Sequence, residues 1–322
     1  MAHRELLLTM VAETTSGTYQ APAVADGILT GDFSIEYQAD EAESQMLSPS
    51  FGRTRPSIHV RKQWSFSGIT TDFVASGSAG VVPGNHALYL ACGMGSTVVA
   101  GTSVQYKPTW PPSATTFSVA CARSGTRYKA KGVRGSKLEI SGEGGATPIM
   151  TVDLSGAYID PDTTDHQTLV SGITYGPMAN PFPFDGTGVA AGTVAFHGQQ
   201  VCVNSFTWMM ENSQVFSSDA GCTEAMAHEN RNISGTLTIK RPDFGTWNPF
   251  QRAQQSVTGS FKLPIGSGAG RVSTIFQPTC QIIIPAEAEV DGLEYIELPW
   301  VGIISSSADW PTITHASTII PA

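Results

Sequence analysis

The sequence predicts a mainly β protein of two tandem β-sandwich or barrel domains, each with one short flanking helix. Three observations carry this. Only 14% of the 322 residues are charged, and 33 are Gly and 20 Pro, a turn-rich balance that suits short strands better than helices. Several segments alternate apolar and polar residues with the period of a half-buried strand. The chain also repeats itself. Ile149, Val152, Leu154 and Ile159 are matched 144 positions later by Leu293, Ile296, Leu298 and Ile303, and Asp153 by Glu297.

The first half opens on "LLLTMVAETTSG", whose apolar patch is too short for the core of a signal peptide. It is read as a strand or arm of a protein made and used in the cytoplasm, or in an assembly formed there. No apolar run reaches the ~18 residues of a membrane helix. In 32–38, Phe33, Ile35 and Tyr37 face one way and Asp32, Ser34, Glu36 and Gln38 the other. In 61–67, Trp64 and Phe66 oppose Arg61, Gln63, Ser65 and Ser67. A helix signal follows at 85–93, "NHALYLACG", with Asn85 as N-cap and Gly93 as stop.

The second half runs through the same elements. In 205–211, Phe206, Trp208 and Met210 oppose Ser205, Thr207, Met209 and Glu211; in 236–240, Leu237 and Ile239 oppose Thr236, Thr238 and Lys240. The helix signal is "NPFQRAQQ" (248–255), with Asn248 as N-cap and Pro249 in the first turn. The offset between matched elements starts at 173 (Phe33 to Phe206) and passes through 171 ("KQWSFSGITTDF", 62–73, to "ISGTLTIKRPDF", 233–244). It settles at 144, where Phe117, Val119, Leu138 and Ile140 meet Phe261, Leu263, Ile282 and Ile284. The first half is therefore 29 residues longer, nearly all of it between Phe73 and Phe117, where "VASGSAG" and "YKPTWPPSATT" read as loops. The expected division is a first domain at 1–165, a linker at 166–180 and a second domain at 181–322.

Each half carries a long connection between its first two strands, 39–56 and 212–231. Connections beyond ~12–15 residues are uncommon unless functional or disordered. Two at equivalent places favour a shared job, and a loop of this kind can order against a neighbour. Glu41, Glu43, Met46, Leu47, Arg53, Arg55, Val215, Phe216, Glu224 and His228 are the candidate contact residues.

The net charge of −9 argues against a protein that grips nucleic-acid phosphates with clustered Lys and Arg. Five cysteines, an odd number with no CxxC pair, read as free and mostly buried thiols. None of the seven histidines forms a metal-ligand pair, "GSGAG" (266–270) sits in a turn between strands, and no spacing singles out a catalytic pair of carboxylates. Neither an enzyme nor a metal or cofactor is expected.

The ordered set "LLLTMVAETTSGTYQAP", "DGILTGDFSIEYQ", "SFGRTRPSIHVRKQWSFSGITTDFVASGSAG", "NHALYLACGM", "GTSVQYKPT" and "VRGSKLEISGEGGATPIMTVDLSGAY" resembles the major tail tube proteins of long, non-contractile-tailed bacteriophages. "DFGTWNPFQ" and "LEYIELPW" are similar to the C-terminal half of the longer members. The Pro-rich insertion at 94–116 departs from the pattern. The resemblance implies two β-sheets with a flanking helix per domain. It also implies hexameric rings for single-domain members, and so trimeric rings for a duplicated chain, stacked into a conduit for DNA ejection. Its partners would be other copies of itself, a tape-measure protein, a tail terminator and a distal tail protein, with double-stranded DNA passing without specific binding and no membrane. It would sit in the virion tail after assembly in the host cytoplasm. The tail 305–322 reads as an arm that packs on a neighbour.

A lumen must let DNA pass without holding it. The wet-face residues Asp32, Ser34, Glu36, Gln38, Ser65, Glu139, Asp153, Thr207, Thr236 and Glu297 are the candidate lining. Alternation alone equally fits ordinary solvated sheet. The rival readings are another structural β-protein of a virion (a tail terminator, decoration protein or spike) and a carbohydrate-binding β-sandwich using some of the six Trp.

Overall fold

The structure, a computed structural model, describes residues 6–42, 57–111, 113, 115–163, 172–190, 193–218 and 222–316. It is mainly β, as expected, with two short α-helices among the described residues. The strands of the first half are β1 (Leu6–Ala12), β2 (Gly27–Ile28), β3 (Ser34–Ala42), β4 (Ile58–Asp72), β5 (Met94–Val99), β6 (Ser103–Pro108), β7 (Phe117–Arg123), β8 (Thr126–Glu143) and β9 (Ile149–Asp162). Those of the second are β10 (Ala195–Phe196), β11 (Gln199–Gln200), β12 (Val203–Ser217), β13 (Ala225–Lys240), β14 (Thr258–Ile265), β15 (Val272–Ile282), β16 (Ala286–Val290), β17 (Leu293–Gly302) and β18 (Thr312–Ala316). Helix α1 is His86–Ala91 and α2 is Pro249–Gln254.

The two halves pair their strands in the same order. The first runs β1-β7-β8-β9-β4-β3 and the second β10-β14-β15-β17-β13-β12, all antiparallel. The registers also agree. Phe66 faces Leu154 in the first half and Leu237 faces Leu298 in the second, so β4 maps to β13 at 171 and β9 to β17 at 144. One pair has exchanged its volumes. Trp64 lies opposite Gly156, and at the same place Gly235 lies opposite Trp300. A Cβ on Gly235 would come within 2.5 Å of the Trp300 ring, so only one side of this pair can be large.

Two offsets differ from the sequence reading. Ile35 faces Phe66 and Phe206 faces Leu237, which sets β3 to β12 at 171, not 173. The 144 spacing does not carry from β9 back into β8. Ser141 pairs with Ile149, but Leu293 pairs with Val290, because the second hairpin turns through Asp291-Gly292 alone. The partner of Leu138 is therefore Glu287, not Ile282. The long β8 corresponds to β15 and β16 together.

Three segments read as loops or arms also fold differently. Residues 39–42 extend β3, and 212–217 and 225–231 extend β12 and β13 into one long hairpin. Most of this extension lies beyond the core and buries little, so it lacks the dry face that period-2 reading needs. Within 94–116, Met94–Pro108 is the hairpin β5–β6. Of the expected C-terminal arm, Thr312–Ala316 is β18, bonded within its own chain between β6 and β15. The segment 172–184 hydrogen-bonds to the first half, Thr174 N to Val24 O at 2.8 Å, Ala179 N to Ala75 O at 2.8 Å and Phe184 N to Ala146 O at 2.7 Å.

The helices form where the sequence placed them. Asn248 caps α2, accepting from Gln251 N at 3.1 Å, whereas Asn85 makes no cap bond and its amide donates to Asp72 O at 3.3 Å. Gly93 takes the left-handed turn that ends α1, at φ 77°. Trp64, Trp208 and Trp300, expected on buried faces, are 7%, 0% and 0% exposed. The rings of Phe261 on β14 and Trp300 on β17 lie 5.6 Å apart, closing the core between two sheet layers. Replacing Trp300 with Ala is expected to cost about 3–5 kcal/mol of stability, read as a lowered urea midpoint with the β-sheet circular dichroism retained.

Candidate functional site: one polar sheet face and a docked arm

Nine of the ten candidate lining residues lie on one face of a single continuous sheet. The halves are joined by β12 of the second, which pairs with the C-terminal stretch of β8 in the first over seven residues, Ser205↔Glu143 through Glu211↔Lys137. This makes an eight-strand sheet, β3-β4-β9-β8-β12-β13-β17-β16. Residues directly opposite in a ladder share a face. Glu36 meets Ser65, Ser65 meets Ser155, Asp153 meets Lys137, Glu139 meets Met209, Thr207 meets Thr236, and Thr238 meets Glu297. Ser34 and Gln38 fall in step with Glu36. Asp32 lies just before β3, where its carboxylate accepts from Phe33 N.

The opposite face is the core. Phe206, Trp208 and Met210 of β12 meet Gly142, Ile140 and Leu138 of β8. The seam is close at Gly142, where a Cβ would come within 2.6 Å of the Phe206 ring. The polar face carries Glu36, Glu139, Glu143, Asp153, Glu211 and Glu297 against Lys137 and Lys240, with Arg134 buried at its margin and, farther along β8, Lys129 and Lys131 ion-paired to Asp162 and Glu224. Lys137 is bound to Glu139 at 2.5 Å, and that hydrogen bond raises the lysine pKa, keeping it charged and spent on its neighbour. Asp153 accepts from Gly68 N at 2.7 Å. The face is acidic and hydroxyl-rich.

The β12–β13 hairpin continues as an arm that docks on the first half. Asn212 sits in step with Phe206, Trp208 and Met210, the apolar series of β12, and its amide donates to Cys92 O and Gly135 O, both at 3.0 Å. Its oxygen accepts from Arg231 Nε at 2.6 Å, and Arg231 Nη2 reaches the carbonyls of Cys92 at 3.2 Å and Gly93 at 3.3 Å. These close the end of α1. His228 Nε2 bonds Gly135 O at 3.0 Å. Thr223 donates to Ser16 O at 3.0 Å, and Glu224 lies 3.9 Å from Lys131. That turn is fixed by Glu13, a buried carboxylate accepting from Gly17 N and Gly132 N, both at 2.7 Å, and from the hydroxyls of Thr116 and Ser118.

The candidate contact residues thus divide. Glu224 and His228 touch the first half of their own chain, whereas Val215 stays 48% exposed on the arm and Phe216 is half-buried. Glu41 lies on the β3–β4 hairpin beside His59, at 3.7 Å. Glu43, Met46, Leu47, Arg53 and Arg55 lie outside the described residues. Glu13, Asn212 and Arg231 were not singled out from sequence. Asn212 had a readable signal, a polar residue in the apolar register. Glu13 had none.

Cys92, Cys121 and Cys280 are buried free thiols, each pushed up to about 12 by burial, while Cys202 and Cys222 are exposed.

Paired antiparallel strands with one long acidic face and a docked hairpin arm fit a structural β-protein. The family model described as "Phage tail tube protein" matches residues 4–310. The chain belongs to that family and is a structural component of a phage tail. No curated protein matches it.

The arm should weaken in acid. Burial, with Arg134 and Arg231 nearby, lowers the His228 pKa to about 4; burial first also lowers His197 to about 4 and His315 to about 3. A histidine freed by unfolding titrates near ~6.5. The unfolded chain therefore binds more protons between these values, so stability is full above ~6.5 and falls as pH drops towards about 4. Hydrogen exchange of 223–231 is expected to speed up over that range, and less so in His228→Gln. Asn212→Ala removes three hydrogen bonds and leaves Arg231 Nε without its partner, and should cost about 1–3 kcal/mol, read by denaturation and by faster proteolysis within the arm.

Proposed function

We propose that the chain is the tube subunit of a long, non-contractile tail, that three copies close a ring, and that stacked rings form the conduit through which DNA leaves. The observation that carries this is the eight-strand sheet with an acidic, hydroxyl-rich face along both halves. Duplex DNA carries one negative charge per ~1.7 Å of axis, so a basic wall would hold it and an acidic wall lets it slide. The shared strand order of the two halves supports a duplicated tube domain. Two domains per chain halve the number of bodies to be ordered in a ring, which lowers the association cost. Rings of like subunits close by rotation.

In this reading the arms and the residues 43–56 make ring-to-ring contacts. A tape-measure protein, a tail terminator and a distal tail protein meet the tube along its bore and at its ends, and assembly takes place in the host cytoplasm. The acidic face does not bind DNA specifically, and the subunit carries out no chemistry.

Negative-stain electron microscopy of the concentrated protein tests this reading. Hollow tubes or rings with threefold or pseudo-sixfold end views are expected; compact single particles at every concentration would contradict it. Glu36 and Glu297 stand exposed on the polar face, so Glu36→Lys with Glu297→Lys should leave tube formation intact. Virions carrying both changes should eject DNA more slowly, with the difference shrinking as salt is raised.

A further inference from the structure

Strand β18 is where the two halves meet in the second layer. It lies between β6 of the first half and β15 of the second, with His315 opposite Val104 on one side and Ser273 on the other. His315 is buried. Its Nδ1 shares a 2.8 Å hydrogen bond with the Ser273 hydroxyl, and its Nε2 is buried without a partner. Aromatic rings surround it. Between ring centroids, Tyr106 of β6 lies at 5.8 Å, Phe73, just past β4, at 5.9 Å, and Tyr89 of α1 at 6.0 Å. Tyr89 and Tyr106 are stacked at 4.3 Å, and the Tyr106 hydroxyl is bonded to His86 Nδ1 at 2.7 Å. These two phenols, with His86 behind them, are the titratable groups that face the ring. Burial pushes both phenols up, so they stay neutral, and pushes His86 down. Strand β15 presents Ser273 and the end of β4 presents Phe73. No charged side chain among the described residues acts on the ring.

We propose that His315 is an acid-operated latch between the halves: the neutral imidazole holds β18 between β6 and β15, and the imidazolium releases it. An imidazolium carries an N–H at both nitrogens. Ser273 can turn its hydroxyl to accept one of them. Nothing among the described residues accepts the other, and a buried charge left without a partner is strongly unfavourable. The three rings lie at the outer limit of cation–π contact, ~6 Å, too far to stand in for a counter-charge. The release is local. Strand β18 is five residues long, and the seam between β8 and β12 still joins the halves when it leaves. His228 fastens the arm, whereas His315 fastens the second layer, so the two respond to acid at separate places. The latch needs no second copy and stands apart from the tube reading. Its sign follows from burial, which lowers the docked histidine to about 3, against ~6.5 once β18 is free. The latch is closed above ~6.5 and loosens as pH falls below it.

Native-state hydrogen exchange of the full chain tests the latch. Protection of the Ile313–Ala316 amides, corrected for the intrinsic pH dependence of exchange, should fall about 25-fold between pH 7 and pH 5. The seam amides of Ser205–Glu211 should stay better protected than those of β18 at both values, since β18 opens by itself. His315→Asn keeps a hydrogen-bonding group near the Nδ1 position and takes up no proton, and it should flatten the fall. Imidazole NMR of the unaltered chain gives a second reading that needs no variant to fold: docked His315 should remain neutral down to pH 5. A fall of the same size in His315→Asn would overturn the latch, because acid would then be acting through other groups. So would a His315 that titrates near ~6.5 while β18 stays protected, because the aromatic rings would then be holding the imidazolium in place. Loss of β18 and seam protection together, at one free energy, would overturn it as well, because the strand would then open only with the whole fold.

Discussion

The ladder between β8 and β12 is the contact on which the rest of the structure depends. It spans seven residue pairs and turns two sheets into one. Its core side brings Phe206, Trp208 and Met210 over the first half's Gly142, Ile140 and Leu138, so backbone pairing and apolar burial are gained together. Cross-strand pairs contribute roughly 0.2–1 kcal/mol each, a modest sum that the fully buried Trp208 reinforces. Without this seam the polar face would be two short patches at an undefined angle.

Two further contacts hold that angle. The arm clamps the end of α1 through Asn212 and Arg231, which supply the Cys92 carbonyl with partners that a helix end lacks, and Arg231 joins Thr109 at the Gly93 carbonyl. Strand β18 bridges β6 and β15 in the second layer, so the 94–116 insertion serves as a docking edge for the other half. The first half's additional length thus builds part of the junction. The first arm, β3–β4, has no such support among the described residues, and Ile58 on it is 65% exposed.

Much of the fold was legible because its strands are half-buried. Phe206, Trp208 and Met210 against Ser205, Thr207 and Met209 is a pattern that only a sheet with one dry side produces. Both helices were marked by Asn-initiated signals, although Asn85 spends its side chain on Asp72 instead of the cap. The polar face was legible residue by residue, but its continuity was not, since pairing between β8 and β12 is a non-local choice with no local signature. The arms were misread for a related reason. Most of their residues face solvent on both sides, and a strand stabilised by its hairpin partner alone need not alternate. The shortened turn at Asp291-Gly292 hid the equivalence of β8 with β15 and β16, because five missing residues shift every comparison on one side of the hairpin. The exchange of Trp64–Gly156 for Gly235–Trp300 erased identity while keeping volume.

The most direct measurement of the account is native-state hydrogen exchange of the β12 amides between Ser205 and Glu211, residue by residue. If the seam is the central contact, the amides directed at β8 exchange as slowly as those directed at β13, and both open only with global unfolding. If the amides facing β8 exchange quickly while those facing β13 stay protected, the halves are separate bodies that touch, and the single continuous face is contradicted.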